Sequence, residues 1–256
     1  MRVFPTLAPI IHAIRHAQGY HNIALENYFM RDPSLTPEGE HQCAELAKTF
    51  PYHSRIELIT SSPMRRTIQT ALHTFPAQIA KGFVIITLPE AQELSGYPSD
   101  TGSDIEMLRK EMKDKPVDLS RVPEGWNSKS GKWAPERIPA EKRARELRTW
   151  LKARKEKEIV LVTHGGFLHY FVEDWSEDGE FHGTAWVNTE FRTYEFVDPE
   201  GESVSIKETT ESRERRRGTE RPITKREQEE LRNIIWNNSD GKEHKVTSIN
   251  GYPVSN

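Results

Sequence analysis

The sequence predicts an α/β fold, a mostly parallel sheet with helices packed against it. Three observations lead there. Short apolar runs at residues 10–14, 56–60, 84–88 and 159–163 lack the polar alternation of half-exposed strands, so they read as strands buried on both faces. Each run stops abruptly at a polar cluster, and helix-start signals follow several of them, as at Thr36-Pro37-Glu38 and Ser62-Pro63. At 256 residues, finally, the chain has length enough for one large α/β domain with a sizeable core, or for two small ones.

Composition removes several function classes. With 39 acidic and 36 basic residues the net charge is −3, a near balance that argues against a dedicated nucleic-acid binder. The one cysteine, Cys43, excludes an internal disulfide and suits a reducing compartment. No apolar run approaches the roughly 18 residues needed to cross a bilayer. The first residues, Met1-Arg2-Val3-Phe4-Pro5, show no secretory pattern, so the expectation is a cytoplasmic protein with no membrane partner.

The first strand ends at Arg15-His16-Ala17-Gln18-Gly19-Tyr20-His21-Asn22. Ligands of open α/β sheets sit beyond the carboxyl ends of strands. An arginine beside a histidine there suits an anionic substrate, with the imidazole as nucleophile or base. The bland alternative is a strand end with a surface arginine and a capping histidine. Thr36 as N-cap and Pro37 at the first helical position start a helix reaching about Phe50, with Cys43, Leu46, Ala47 and Phe50 on its buried side. Cys43 therefore reads as a core residue.

The second strand, residues 56–60, runs into Ser61-Ser62-Pro63-Met64-Arg65-Arg66, where Ser62 caps a helix and Pro63 takes its first position. Arg65 and Arg66 then fall in the first turn, where the helix dipole disfavours cations. An anion bound at that end explains them, as does simple extension into solvent. The third strand, residues 84–88, is followed by Glu90 and Glu93. Residues 95–139 are irregular apart from a short helix near 104–113. A segment this long, with Trp126 and Trp133, reads as a lid or specificity element, or as a loop whose tryptophans tuck onto the core. An amphipathic helix covers residues 140–154, burying Ala144, Leu147, Trp150 and Leu151. The strand at 159–163 ends at His164-Gly165-Gly166, offering an imidazole and close backbone approach at a helix start. Residues 191–197 alternate as a further strand, placed at an edge.

Composition changes at about Gly201, so the expected organisation is an α/β domain over residues 1–200 and a charged extension over 201–256 carrying one helix, 227–236, behind the capping box at Thr224. The basic run Arg213-Glu214-Arg215-Arg216-Arg217 reads as a solvated linker, in preference to a nuclear address or an anion-binding flap.

Taken together these junctions resemble the histidine phosphatase superfamily, in its phosphoglycerate mutase-like branch. Arg15-His16-Ala17 resembles the opening Arg-His-Gly motif, and Asn22 matches the asparagine that follows it. Leu35-Thr36-Pro37-Glu38-Gly39 is similar to the Leu-Thr-x-x-Gly helix start. The segment from Ser62 to Ala71 resembles Ser-x-x-x-Arg-Ala-x-x-Thr-Ala, which selects Arg66 over Arg65. Val162-Thr163-His164-Gly165-Gly166 resembles the second histidine motif, so the match spans roughly residues 10–197. The resemblance implies a three-layer αβα sandwich around the mostly parallel sheet. It implies His16 as nucleophile, His164 as second histidine, and Arg15, Asn22, Arg66, His164 and Gly165 as phosphate-binding residues. For the proton donor, Glu90, Glu93 and Asp100 compete; Glu93 matches best by position and Asp100 is second.

The chemistry is self-consistent. Arg15, Arg66 and a protonated His164 can neutralise a phosphate monoester, and the guanidinium fork suits bidentate phosphate contact. Neutral His16 can attack phosphorus in line while a carboxylic acid protonates the departing oxygen. No metal or cofactor is required, and the partner expected is a small phosphorylated substrate. The leading expectation is a phosphatase. Alternatives are a phosphoglycerate mutase-type phosphotransferase, a catalytically idle scaffold on the same fold, and a metallohydrolase built from His16, His21, His164 and His169.

Overall fold

The computed structural model describes residues 8–174 and 183–222, with a short backbone pairing of Ser248–Ile249 with Tyr252–Pro253. Seven strands form the main sheet: β1 (Ile10–Arg15), β2 (Leu58–Ser61), β3 (Ile85–Thr87), β4 (Val117–Asp118), β5 (Glu158–Thr163), β6 (Phe191–Phe196) and β7 (Ile206–Glu208). Their order is β4-β3-β2-β5-β1-β6-β7, with β6 alone running against the rest. The fold is α/β with a mostly parallel, mixed sheet.

Alternation along the central strands explains the layers. Ile11, Ala13, Ile159 and Leu161 point to one face, where they pack with Leu147 and Leu151 of α5 (Arg137–Lys152) and Phe167 and Phe171 of α6 (Gly165–Phe171). Ile14, Val160 and Val162 point to the other, against Leu46 of α1 (Pro37–Thr49) and Ala71 of α2 (Arg65–Thr74), with Phe50 and Phe75 just beyond those helices. Each central strand residue thus covers one helix layer or the other, which is why the runs read as continuously apolar. A single turn, α3 (Pro76–Ile79), follows α2. Next to the sheet a satellite core joins Ile105 and Leu108 of α4 (Ile105–Glu111) to Met64, Ile68 and Trp126.

Register places the site. Arg15 pairs with Thr163, while Ser61 pairs with Val162 and with Thr87, so β1, β2, β3 and β5 finish at one level. The chain leaves that level through His16, Ser62 and His164, and the last ladder bonds run from the His16 N–H to the Thr163 carbonyl and from the Ser62 N–H to the Val162 carbonyl, each 2.9 Å.

Three local expectations change. First, Ser62 does not cap α2, which begins at Arg65. Its first amide is capped from a distant segment, the Arg65 N–H donating to Asp32 Oδ1 at 3.0 Å. Asp32 is fully enclosed and also accepts from the Ser103 N–H at 2.8 Å; burial raises its pKa. Arg65 does not reach into solvent, since its Nε donates to Glu111 Oε2 at 2.8 Å. Second, β6 is not the edge: β7 pairs outside it. Third, the basic run is not a loose linker up to Arg216. It forms α7 (Thr210–Arg216), capped by Thr209, whose hydroxyl oxygen accepts from the Ser212 N–H at 3.2 Å. Arg216 forks onto Glu208 at 2.8 and 2.7 Å, and the Arg215 guanidinium lies 4.1 Å over the Phe191 ring. Local charge density argued for solvated chain, but partners on β6 and β7 hold the helix down. The expected helix at 227–236 lies outside the described residues. Among the described residues no helix is long and apolar enough to cross a membrane.

Candidate active site

At the common strand level four buried side chains converge. The rings of His16 and His164 stand 5.2 Å apart, edge to face. His16 Nδ1 lies 2.7 Å from the Ala17 carbonyl, which can only accept, so Nδ1 carries the proton and Nε2 keeps its lone pair. Arg66 Nε points at that Nε2 from 3.2 Å. The other arms of the Arg66 fork donate to the Ser99 carbonyl at 2.6 Å and to Asp100 Oδ1 at 2.9 Å. His164 Nε2 contacts Ser62 Oγ at 3.0 Å.

Electrostatics follow from burial among cations. Desolvation first, and the Arg66 guanidinium second, hold both His16 and His164 well below the ordinary imidazole value. His21, its ring 5.4 Å from that of His16, is pushed down to about 2 by burial, with Arg66 and Arg15 adding to it. Among the protein's own groups, burial and the Arg66 charge thus disfavour a proton on His164, and the protonated form expected from the sequence needs a bound anion to oppose them.

The acids separate in character. Asp100 is bound to Arg66 and accepts from Ser95 Oγ at 2.5 Å. Glu93 lies at the start of α6, its Oε1 accepting from the Leu94 and Phe167 N–H groups (3.0 and 2.9 Å) and its Oε2 from the Gly166 N–H (3.2 Å). Burial, then the Asp100 charge, raise its pKa, a direction that favours the protonated carboxyl. Glu90 instead pairs with Lys132 at 3.0 Å, away from this group.

The remaining predicted residues are placed as follows. Arg15, the last residue of β1, donates through Nη1 to the Trp186 carbonyl and lies against Gly165, where a Cβ would come within 3.3 Å of its Nε. Asn22 uses its amide oxygen on the Gly19 N–H at 3.0 Å and fastens the turn after His16. Gly39 explains the helix-start motif: a Cβ there would sit 2.1 Å from the Gln18 carbonyl oxygen, so only glycine lets α1 approach the loop that follows His16.

Sequence reasoning missed three participants. Ser62 was assigned to a helix cap, although its position at a strand end was a usable signal. Asn188, whose Nδ2 donates to the His16 carbonyl at 2.9 Å, lies 172 residues away. Lys129 reaches the main-chain oxygen of Glu93 at 2.6 Å from inside the irregular segment, which carries no periodicity to place it. Trp126 is a core residue there, its indole donating to the Ser103 carbonyl at 3.2 Å. Among the described residues no three His, Cys, Asp or Glu side chains group as a metal site, so His16, His21, His164 and His169 do not form one.

Residues 11–209 match the histidine phosphatase superfamily (branch 1). The chain belongs to that superfamily. A phosphoglycerate mutase-like protein of Arabidopsis thaliana is 31% identical over 205 residues, covering 66% of this chain and 75% of the relative. Among solved structures, the mycobacterial glucosyl-3-phosphoglycerate phosphatase in complex with VO3 superposes with a TM-score of 0.52 at 19% identity, over 79% of this chain and 98% of the other. Bacillus stearothermophilus YhfR gives 0.52 at 15% identity, over 80% and 97%. At such identities these two likenesses show the histidine phosphatase fold and nothing finer.

Proposed function

We propose that this histidine phosphatase hydrolyses the monoester of a small phosphorylated metabolite through a phosphohistidine on His16, without a metal. The observation that carries the reading is the state of His16: neutral, with its lone pair on Nε2 and a buried guanidinium alongside. Such an imidazole is a nucleophile beside a ready partner for anionic oxygens. Arg15, Arg66, Asn22, His164 and Gly165 form the phosphate-binding set in this reading.

The steps balance as follows. His16 Nε2 attacks phosphorus and the P–O bond to the alcohol breaks, with protonated Glu93 delivering its proton to the departing oxygen. The carboxylate of Glu93 then takes a proton from water, whose oxygen attacks phosphorus as the P–N bond breaks. Neutral His16 and protonated Glu93 are regenerated. The arrival of a nearly dianionic phosphoryl group raises the pKa of His164, which can then share the charge. Stabilising the equatorial oxygens is the main electrostatic task of the transfer. A cytoplasmic setting, where small phosphorylated metabolites are handled, fits the single buried thiol.

The test is phosphate release from p-nitrophenyl phosphate in excess EDTA, with trapping of labelled enzyme by alkaline quench. Activity resistant to EDTA and loss of both turnover and label in His16→Ala support the reading. Activity that EDTA abolishes and added divalent metal restores would overturn it. A metabolite panel then identifies the substrate.

A further inference from the structure

The Glu93 peptide is held from outside its own segment. Arg143 of α5 donates through Nη1 to the carbonyls of Glu90 (3.0 Å) and Gln92 (2.9 Å). The next carbonyl, that of Glu93 itself, accepts from the Lys129 ammonium at 2.6 Å. Lys129 reaches it from a left-handed backbone conformation, φ 53°, which a lysine adopts only when its surroundings hold it there. The loop is fastened to the same segment by Gln92 Nε2, which donates to the Trp126 carbonyl at 2.6 Å. Protein surrounds the ammonium, while the residue as a whole is half-buried.

We infer that Lys129 is the positioning residue of the proton donor: its ammonium clamps the Glu93 peptide so that the carboxyl stays on the α6 amides, and its charge sets how readily that carboxyl gives up its proton. This inference rests on the proposed role of Glu93. The groups facing the ammonium are Glu93 itself, Asp100 from the following turn, Arg66 from α2, Arg143 from α5 and His164 at the start of α6. Burial lowers the Lys129 pKa to about 7, with Arg143 and Arg66 acting in the same sense and Asp100 and Glu93 against them. A cation beside Glu93 favours its carboxylate, so removing that cation raises the Glu93 pKa. The loop and the acid are thereby tied together: the segment carrying Lys129 must be seated before the acid is both placed and poised.

The experiment compares wild type, Lys129→Arg and Lys129→Met in two measurements. The first is the pH profile of kcat/KM for an alkyl phosphate and for p-nitrophenyl phosphate. Lys129→Met should lose about tenfold more on the alkyl ester, which needs a protonated leaving group, than on the aryl ester, and its basic limb should move to higher pH. Lys129→Arg should restore both. The second, independent of activity, is amide hydrogen exchange. Lys129→Met should speed exchange at Leu94, Gly166 and Phe167, whose N–H groups hold the Glu93 carboxyl, while the Ile159–Thr163 stretch of β5 stays protected. Equal losses on both esters with an unmoved basic limb, or unchanged exchange at those three amides, would overturn the inference. If wild type hydrolyses no ester, the proposed function fails, and the exchange measurement still decides the clamp. Lys129→Gln replaces Lys129→Met if the latter does not fold.

Discussion

Replacing Gly166 with alanine should separate the placement of Glu93, the proposed proton donor, from the rest of the site. Gly166 is the second residue of α6, and its N–H donates to Glu93 Oε2. A Cβ there would lie 2.7 Å from Glu93 Oε1 and 3.3 Å from Cδ, where ordinary contact begins at 3.4 Å, so the carboxyl must retreat by about 0.7 Å. It cannot swing away freely, because the Leu94 and Phe167 N–H groups hold Oε1 at 3.0 and 2.9 Å. Losing one of these bonds costs about 1 kcal/mol. Exchanging glycine for alanine inside a helix returns about 0.5–1 kcal/mol, so the melting temperature should hardly move. The chemistry should respond much more. Misplacing a catalytic group by roughly 1 Å costs on the order of 100-fold, about 2.7 kcal/mol in the barrier. The cost falls on substrates that need the proton. Steady-state kinetics with an alkyl phosphate should therefore show a fall of about 100-fold in kcat, against less than about fivefold for p-nitrophenyl phosphate, whose phenolate leaves unaided. An equal loss on the two esters would refute the reasoning, as would full activity on both.

Arg66→Lys keeps the charge but not the fork, and one ammonium cannot serve His16, the Ser99 carbonyl and Asp100 together. Initial rates on p-nitrophenyl phosphate should show kcat/KM lower by roughly 100- to 1,000-fold, comparable to removing one donor from an oxyanion site. Acid should unfold the protein early. Burial holds His12, His16, His21 and His164 below 6.5 in the folded chain, so between their folded values and 6.5 the unfolded chain binds more protons. Stability is fully present above 6.5 and falls as pH drops through it, by about 1.4 kcal/mol per pH unit for each histidine that stays neutral in the fold. Urea midpoints at pH 7.5 and 5.5 that coincide would contradict this. Cys43 has its pKa pushed to about 11 by burial, so a thiol reagent should label it only after denaturant is added, and fast labelling of the native protein would count against that packing.

Much of the architecture was legible because it is written in local periodicity and local caps. Continuous apolar runs marked β1, β2, β3 and β5, since residues covering helices on both faces leave no polar alternation. Thr36 marked the start of α1, its Oγ accepting from the Gly39 N–H at 3.0 Å. The His16 loop and the His164 turn could be picked out because each follows directly on such a run. The start of α2 was not legible, because the carboxylate that caps it, Asp32, comes from another part of the chain. Nor was α7, whose arginines look solvated until Glu208 and Phe191 are brought beside them. Position after β3 ranked Glu93 above Asp100 without showing how their surroundings differ. They differ in what surrounds them, a guanidinium and a hydroxyl for Asp100 and three backbone N–H groups for Glu93.

By itself, then, the sequence determined where strands end and which reactive side chains stand at those ends, because both follow from a few neighbouring residues. Tertiary structure decided what those side chains do. The depressed pKa of His164, the α6 amides that hold the Glu93 carboxyl and the reach of Lys129 all depend on groups tens of residues away. Burial and charge act through space, and only the folded chain fixes those distances.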